Sequence, residues 1–275
     1  MTRAPPSQHA GKIASSMEPR AVSVGHGWTW IVQGFALFRK SPAVWLALLL
    51  LLFVSMKVVV RVPLLGIIFV LLMPHFIVGL MEGCRALEHG SRLELGHLLA
   101  GFRRNAAQLV TIGGISLVGN FAVMMLVMEL GGEAMTALAK AVTQGAQMTP
   151  QLTREMQAAT RTVAQALLIG TAVSLPLLMA LWYAPLLVYF NDLGPLAALK
   201  SSFLACVKNT GAMLLYGLVI LVGMFIAMPF SIAIGQYDFA LMLLAPIVVP
   251  SVYVSYKDVF LAGTAPQAGA DSVTG

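Results

Sequence analysis

Apolar residues fall into six runs long enough to cross a bilayer, at about 43–60, 64–82, 107–128, 164–190, 212–234 and 239–257. A helix needs roughly 20 such residues to cross about 30 Å of hydrocarbon. Lipid offers no partners to backbone polar groups, so helices are the form these runs take. The expected fold class is all-α, with six transmembrane helices. Lys57 and Arg61 lie in the last turns of the first run, and Pro63 makes a tight turn into the second. Gly235-Gln236-Tyr237-Asp238 is the turn between the fifth and sixth.

Before the first run stands GHGWTWIVQGFALFRKSPAVW, residues 25–45. Trp28, Ile31, Phe35 and Phe38 recur at helical spacing, followed by Arg39-Lys40 and Ser41-Pro42. The stretch is too short to span, and Thr29 and Gln33 make it too polar. It reads as an amphipathic helix in the membrane interface, its tryptophans at headgroup depth and its cations toward phosphate. A similar pattern returns twice. Leu95, Leu99 and Phe102 precede Arg103-Arg104-Asn105, and Leu199, Phe203 and Cys206 precede Val207-Lys208-Asn209. Each copy stands before an apolar run, and Pro74, Pro185 and Pro250 each lie a few residues ahead of an acid, Glu82, Asp192 or Asp258. The pattern predicts three units, each an interfacial helix followed by a two-span hairpin. A two-span unit returns to its starting side, so these are parallel repeats, not the inverted pair of many secondary transporters.

The middle unit carries an insertion at about 129–162. Met135, Leu138, Val142 and Ala146 form one helical stripe, and Leu152, Met156, Ala159, Val163 and Leu167 form another after a Thr149-Pro150 start. This predicts an extracytoplasmic helical hairpin, either a cap on the bundle or a lid for a partner or ligand.

Composition agrees with the pattern: 59% of residues are hydrophobic, 10% are charged and the mean hydropathy is +0.86. A soluble domain is nearer a quarter charged. Residues 1–24 and 261–275 read as disordered cytoplasmic tails around a single membrane domain, 25–260. The net charge of +6 is explained by its placement. With the N-terminus inside, twelve Lys and Arg fall on the inner side, and five, Lys57, Arg61, Lys140, Arg154 and Arg161, on the outer. That asymmetry puts both termini in the cytoplasm. It favours anionic lipids as partners over nucleic acid.

Few residues offer chemistry. Arg39, Lys40, Arg103, Arg104 and Lys208 are candidate lipid or anion contacts on the inner side. Lys57 and Arg61, four apart on one face, form an outer anion site or snorkel to the interface. His75, after Pro74 within the second span, is an intramembrane polar site or a packed neutral histidine. Asn120 is its candidate partner, or bonds across helices. Glu82, Asp192 and Asp258 line a vestibule or mark the boundary and pair with nearby cations. Glu82 and Arg85, three apart, can pair. Cys84 and Cys206 read as reduced thiols. No HExxH, GxSxG or phosphate-cradling loop occurs. The expectation is no catalytic, metal or cofactor site.

The segments GHGWTWIVQGFALFRKSP, GLMEGCRALEHG, LWYAPLLVYF, SFLACVKN and YVSYKDVF, from about Gly25 to Phe260, resemble an uncharacterised family of multipass inner-membrane proteins from proteobacteria. Trp182–Pro185 and Ser255–Asp258 are the most specific marks. The family is loosely similar to the membrane region preceding some bacterial glycerophosphodiester phosphodiesterases, whose catalytic domain is not present in this chain. The resemblance implies a bacterial cytoplasmic membrane and supplies no catalytic residues. The expected function is a non-catalytic membrane protein acting through lipid or membrane-protein contacts. The alternative is a transporter or exporter of a small or amphiphilic substrate, its helices kinked by Pro74, Pro176, Pro185, Pro229, Pro246 and Pro250.

Overall fold

A computed structural model describes residues 17–59, 61–143, 149–236 and 238–262, except for the side chain of Pro63. The helices are α1 (His26–Lys40), α2 (Pro42–Val59), α3 (Pro63–Glu88), a 3-10 helix (Leu95–Phe102), α4 (Ala106–Thr143), α5 (Pro150–Trp182), α6 (Ala184–Asn191), α7 (Pro195–Lys208), α8 (Thr210–Ile234) and α9 (Phe239–Tyr256), which ends in a π-turn (Lys257–Leu261). Among the described residues there is no strand. Six helical segments are long and apolar enough to cross a membrane, most of their surface left outward for lipid. The chain divides into two compact units, residues 1–113 with 180–275, and residues 114–179.

The first unit is organised around α1. Its buried face is Gly27, Trp30, Gly34 and Leu37. A Cβ at Gly27 would lie 2.3 Å from the carbonyl oxygen of Ala212 on α8, and one at Gly34 would lie 2.7 Å from Ser251 on α9. Only glycine permits so close an approach, so the glycine face is the one that packs. This corrects the expected arrangement. Trp30 is buried rather than at headgroup depth, whereas Trp28, 56% exposed, and Phe35 stay outside and Ile31 and Phe38 are half-buried. Trp30 meets Tyr216 edge-on at 5.9 Å, and the Tyr216 hydroxyl lies 2.7 Å from Ser251 Oγ.

The fourth run is not one continuous helix. Pro185 has no N–H and disfavours helical geometry before it, so α5 stops at Trp182. The Tyr183 N–H, freed at the break, donates to Ser202 Oγ on α7 at 2.9 Å. The other prolines, Pro74, Pro176, Pro229, Pro246 and Pro250, lie inside continuous helices.

The second unit is an antiparallel pair formed by α4 and α5. Val127 packs on Gly170, Leu177 on Gly119 and Ala166 on Gly131. The stretch at about 129–162, expected as a helical hairpin running into the fourth span, is the continuation of these two helices. Nothing between Asn120 and Thr143 breaks α4, whose 38 residues measure about 57 Å at the helical rise. Thr149 Oγ1 accepts the Leu152 N–H at 3.2 Å, capping α5 at its Thr-Pro start. Met135, Leu138, Leu152, Met156, Ala159 and Val163 are half-buried, while Val142 and Leu167 are exposed; Ala146 lies outside the described residues.

The tails also differ from expectation where they are described. Residues 1–16 and 263–275 lie outside the described residues, but 17–24 are bonded in place. Lys208 Nζ donates to the Pro19 carbonyl at 2.8 Å, Asn209 Nδ2 to that of Arg20 at 2.9 Å, and Val22 N–H to Asn209 Oδ1 at 2.8 Å.

Candidate functional site

The segment Ser255–Asp258 ties together four parts of the first unit, because the end of α9 turns each successive side chain toward a different neighbour. Ser255 Oγ accepts the Tyr183 hydroxyl at 3.1 Å. The Tyr256 hydroxyl donates to Asn191 Oδ1 at the end of α6. Lys257 pairs with Glu88 at the end of α3, and Tyr253 donates to the other Glu88 oxygen at 3.0 Å. Asp258 pairs with Arg20 and accepts His26 Nδ1 at 2.6 Å and Trp30 Nε1 at 2.8 Å. A half-buried carboxylate held by so many donors keeps its charge without an unsatisfied oxygen.

Two clefts open around this segment. One, of about 570 Å³, lies between α1 and the end of α9 and includes Gln33, Lys40, Glu88, Lys257 and Asp258. The other, of about 470 Å³, includes Arg85, Asn191 and three aromatic rings, and shares Glu88 and Lys257 with the first. Lys257 begins the π-turn, and π-turns occur frequently at functional sites.

Each acid named from sequence meets a different arginine. Asp192 pairs with Arg104 and accepts Asn105 Nδ2 at 2.8 Å. The Asn105 bond, then that from Arg104, holds its carboxyl below the usual range. Glu82 approaches Arg85 at 3.7 Å, and its Oε2 has no hydrogen bond among the described residues. Neither Glu82 nor Asp192 lines the two clefts, whereas Asp258 lines the larger.

Several candidate lipid contacts are already committed to protein. Lys40 Nζ donates to the Leu87 carbonyl at 3.0 Å, Arg104 to Asp192 and Lys208 to Pro19. At the end of α2 Lys57 pairs with Asp238 at 2.5 Å. The pair ties α2 to the α8–α9 turn. Arg39 lies over Phe35 at 5.9 Å. Arg39, Arg61 and Arg103 are exposed. His75 is 1% exposed, donates Nε2–H to the Ala106 carbonyl at 3.1 Å and stacks on Phe102 at 4.6 Å. Asn120 is exposed and bonds back to Ser116 of its own helix at 2.7 Å. Cys84 and Cys206 are both buried, and burial pushes the Cys206 thiol up to about 12. Among the described residues no cluster of three metal-ligating side chains occurs.

Residue spacing did not reveal the Lys257–Glu88 pair or the Arg20, His26 and Trp30 donors. The one pointer was the distinctive Ser255–Asp258 segment itself, which names the hub but not its partners.

No protein-family model and no solved structure matches the chain. Over 256 residues it is 30% identical to a probable inner membrane protein of Burkholderia thailandensis, a match covering 87% of this chain and 92% of that protein. Six apolar helices and this relationship make the chain a multipass inner membrane protein, and it belongs to the family of that relative.

Proposed function

We propose that this is a non-catalytic membrane protein whose basic inner end is a platform for lipid or membrane-protein contact, with both termini in the cytoplasm. The observation that carries the reading is where the ionised side chains gather. Arg85, Glu88, Arg104, Asp192, Lys257 and Asp258 stand at or beside the helix ends on the side richer in Lys and Arg, and Arg20 joins them from the segment before α1. The exposed Trp28, Val32 and Phe35 of α1 add an apolar surface at that end, suited to the interfacial layer.

Three parallel units account for the pattern of bonds. Lys40 reaches the end of α3, which closes its own hairpin, and Arg104 and Asn105 reach Asp192, which closes theirs. Lys208 and Asn209 reach Pro19 and Arg20, and Arg20 continues to Asp258 at the end of the third. The likeness to the region preceding phosphodiesterase domains adds no activity to this reading. Transport has less in its favour, since His75 and Asn120 are each bonded within their own unit and line neither cleft.

The test is recovery of the full chain from native membranes in polymer discs, followed by identification of bound lipids and proteins. The reading expects enrichment of anionic lipid or a reproducible membrane-protein partner over a six-span control protein. Lipids in bulk proportion and no partner would contradict it.

A further inference from the structure

We propose that the cleft between the inner ends of α3, α6 and α9 holds the phosphate of a membrane phospholipid, with Arg85, Asn191 and Lys257 as donors. The cleft measures about 470 Å³. Its polar groups are left in an uneven state by their own bonds. Both Glu88 oxygens are taken, one by Lys257 and one by Tyr253. His89 Nδ1 donates to the Arg85 carbonyl at 2.7 Å. Each Glu88 oxygen and the histidine Nδ1 proton are therefore engaged within the protein, while donors remain on the neighbouring residues.

Arg85 is half-exposed and its guanidinium makes no hydrogen bond among the described residues. It is positioned, however, by the Phe190 ring, 5.7 Å beneath it. Glu82, 3.7 Å away, offsets part of its charge without taking a hydrogen. Asn191 uses its carbonyl oxygen to accept the Tyr256 hydroxyl, which leaves the amide hydrogens of Nδ2. Lys257 has an ammonium with three donors, one of them committed to Glu88. A planar fork, an amide and an ammonium converging on one cleft suit a tetrahedral oxyanion. The Phe190, Tyr253 and Tyr256 rings wall the cleft with apolar surface of the kind that binding sites use to fix a ligand's orientation.

The phosphate chemistry stands on these residues alone. That the phosphate is carried on a lipid rests on the proposed function. The last turns of three apolar helices lie at the depth of headgroups, and the Lys257 donor comes from a π-turn.

The experiment is native mass spectrometry of the full chain in micelles, with dioleoyl phosphatidylglycerol or phosphate-free dioleoylglycerol added. Arg85→Gln, Asn191→Asp, Arg85→Lys and Arg92→Gln are compared with the parent, each checked by thermal unfolding. Asn191→Asp retains the oxygen that Tyr256 needs, so it keeps the site testable if Arg85→Gln does not fold. The expected result is retention of phosphatidylglycerol about tenfold above dioleoylglycerol, lost in Arg85→Gln and Asn191→Asp, partly kept in Arg85→Lys and unchanged in Arg92→Gln. Equal retention of the two lipids, or a parent-like Arg85→Gln, overturns the lipid site while leaving lipid contact elsewhere intact. A parallel arm titrates glycerol 3-phosphate. Arg85-dependent binding of that soluble ester with no preferential retention of phosphatidylglycerol supports the phosphate site and overturns the lipid as its carrier, whereas displacement of retained phosphatidylglycerol by the ester places the lipid phosphate in this cleft.

Discussion

Asn105 and Asp192, the two non-glycine residues with positive φ among the described residues, both at 54°, are bonded to each other at 2.8 Å. Asn and Asp tolerate this left-handed conformation better than other side-chain-bearing residues. One stands before α4 and the other caps α6, and Asn105 also donates to the Val188 carbonyl at 2.8 Å. The bond thus joins the start of one membrane helix to the turn that ends another.

Asn105→Ala loses both bonds and keeps an unfavourable backbone, whereas Asn105→Gly loses the bonds but relaxes the backbone. The alanine variant should be the less stable by about 1 kcal/mol. Thermal unfolding in one detergent orders the two, and an alanine variant equal to or better than glycine would show that the backbone geometry costs nothing here.

Asp192 also sets a pH dependence. Its folded-state pKa is depressed, first by Asn105 and then by Arg104. Its contribution is therefore complete above the unfolded-state value of about 3.9 and is lost as pH falls through the folded-state value. The carboxylate is 58% exposed, so screening keeps the effect below about 1 kcal/mol. Melting temperature between pH 6 and 3 should fall less steeply in Asp192→Asn than in the parent. Parallel curves would show that the carboxylate contributes nothing in this window.

Tyr183 and Ser255 belong to the two most distinctive sequence segments and meet at 3.1 Å in the interior. A double-mutant cycle of Tyr183→Phe and Ser255→Ala should give a coupling of about 1 kcal/mol. Additive single effects would mean that the contact holds nothing.

Gly34→Val places a branched side chain where even a Cβ has only 2.7 Å to Ser251. Overpacking should destabilise the chain by about 1–3 kcal/mol and lift α1 from α9. Limited trypsin digestion at Arg39 and Lys40 should speed up, while an exposed-face change such as Val32→Ala should leave it unaltered.

The apolar runs were legible because a bilayer demands length and hydrophobicity that no local feature can disguise. The start of α5 was equally plain, because Thr149 and Pro150 act within one turn. Packing was not legible. Trp28 and Trp30 look alike in sequence, and only the glycines at 27 and 34 decide which face of α1 is buried. The Asp258 cluster joins residues more than 200 positions apart, a relationship that no local spacing encodes. His75 and Asn120 looked like partners because both are polar within apolar runs, yet each found a backbone carbonyl nearby.

A lipid or protein platform at the inner end requires that the ionised helix ends face the cytoplasm. Ser91→Cys, in the exposed turn after α3, and Thr153→Cys, near the start of α5, can be labelled with an impermeant maleimide in intact spheroplasts and in inverted vesicles. The native Cys84 and Cys206 are buried, which keeps the background low. The Ser91→Cys variant should label only in inverted vesicles, and the Thr153→Cys variant only in spheroplasts. The reverse pattern would place the basic platform in the periplasm and contradict the proposed orientation.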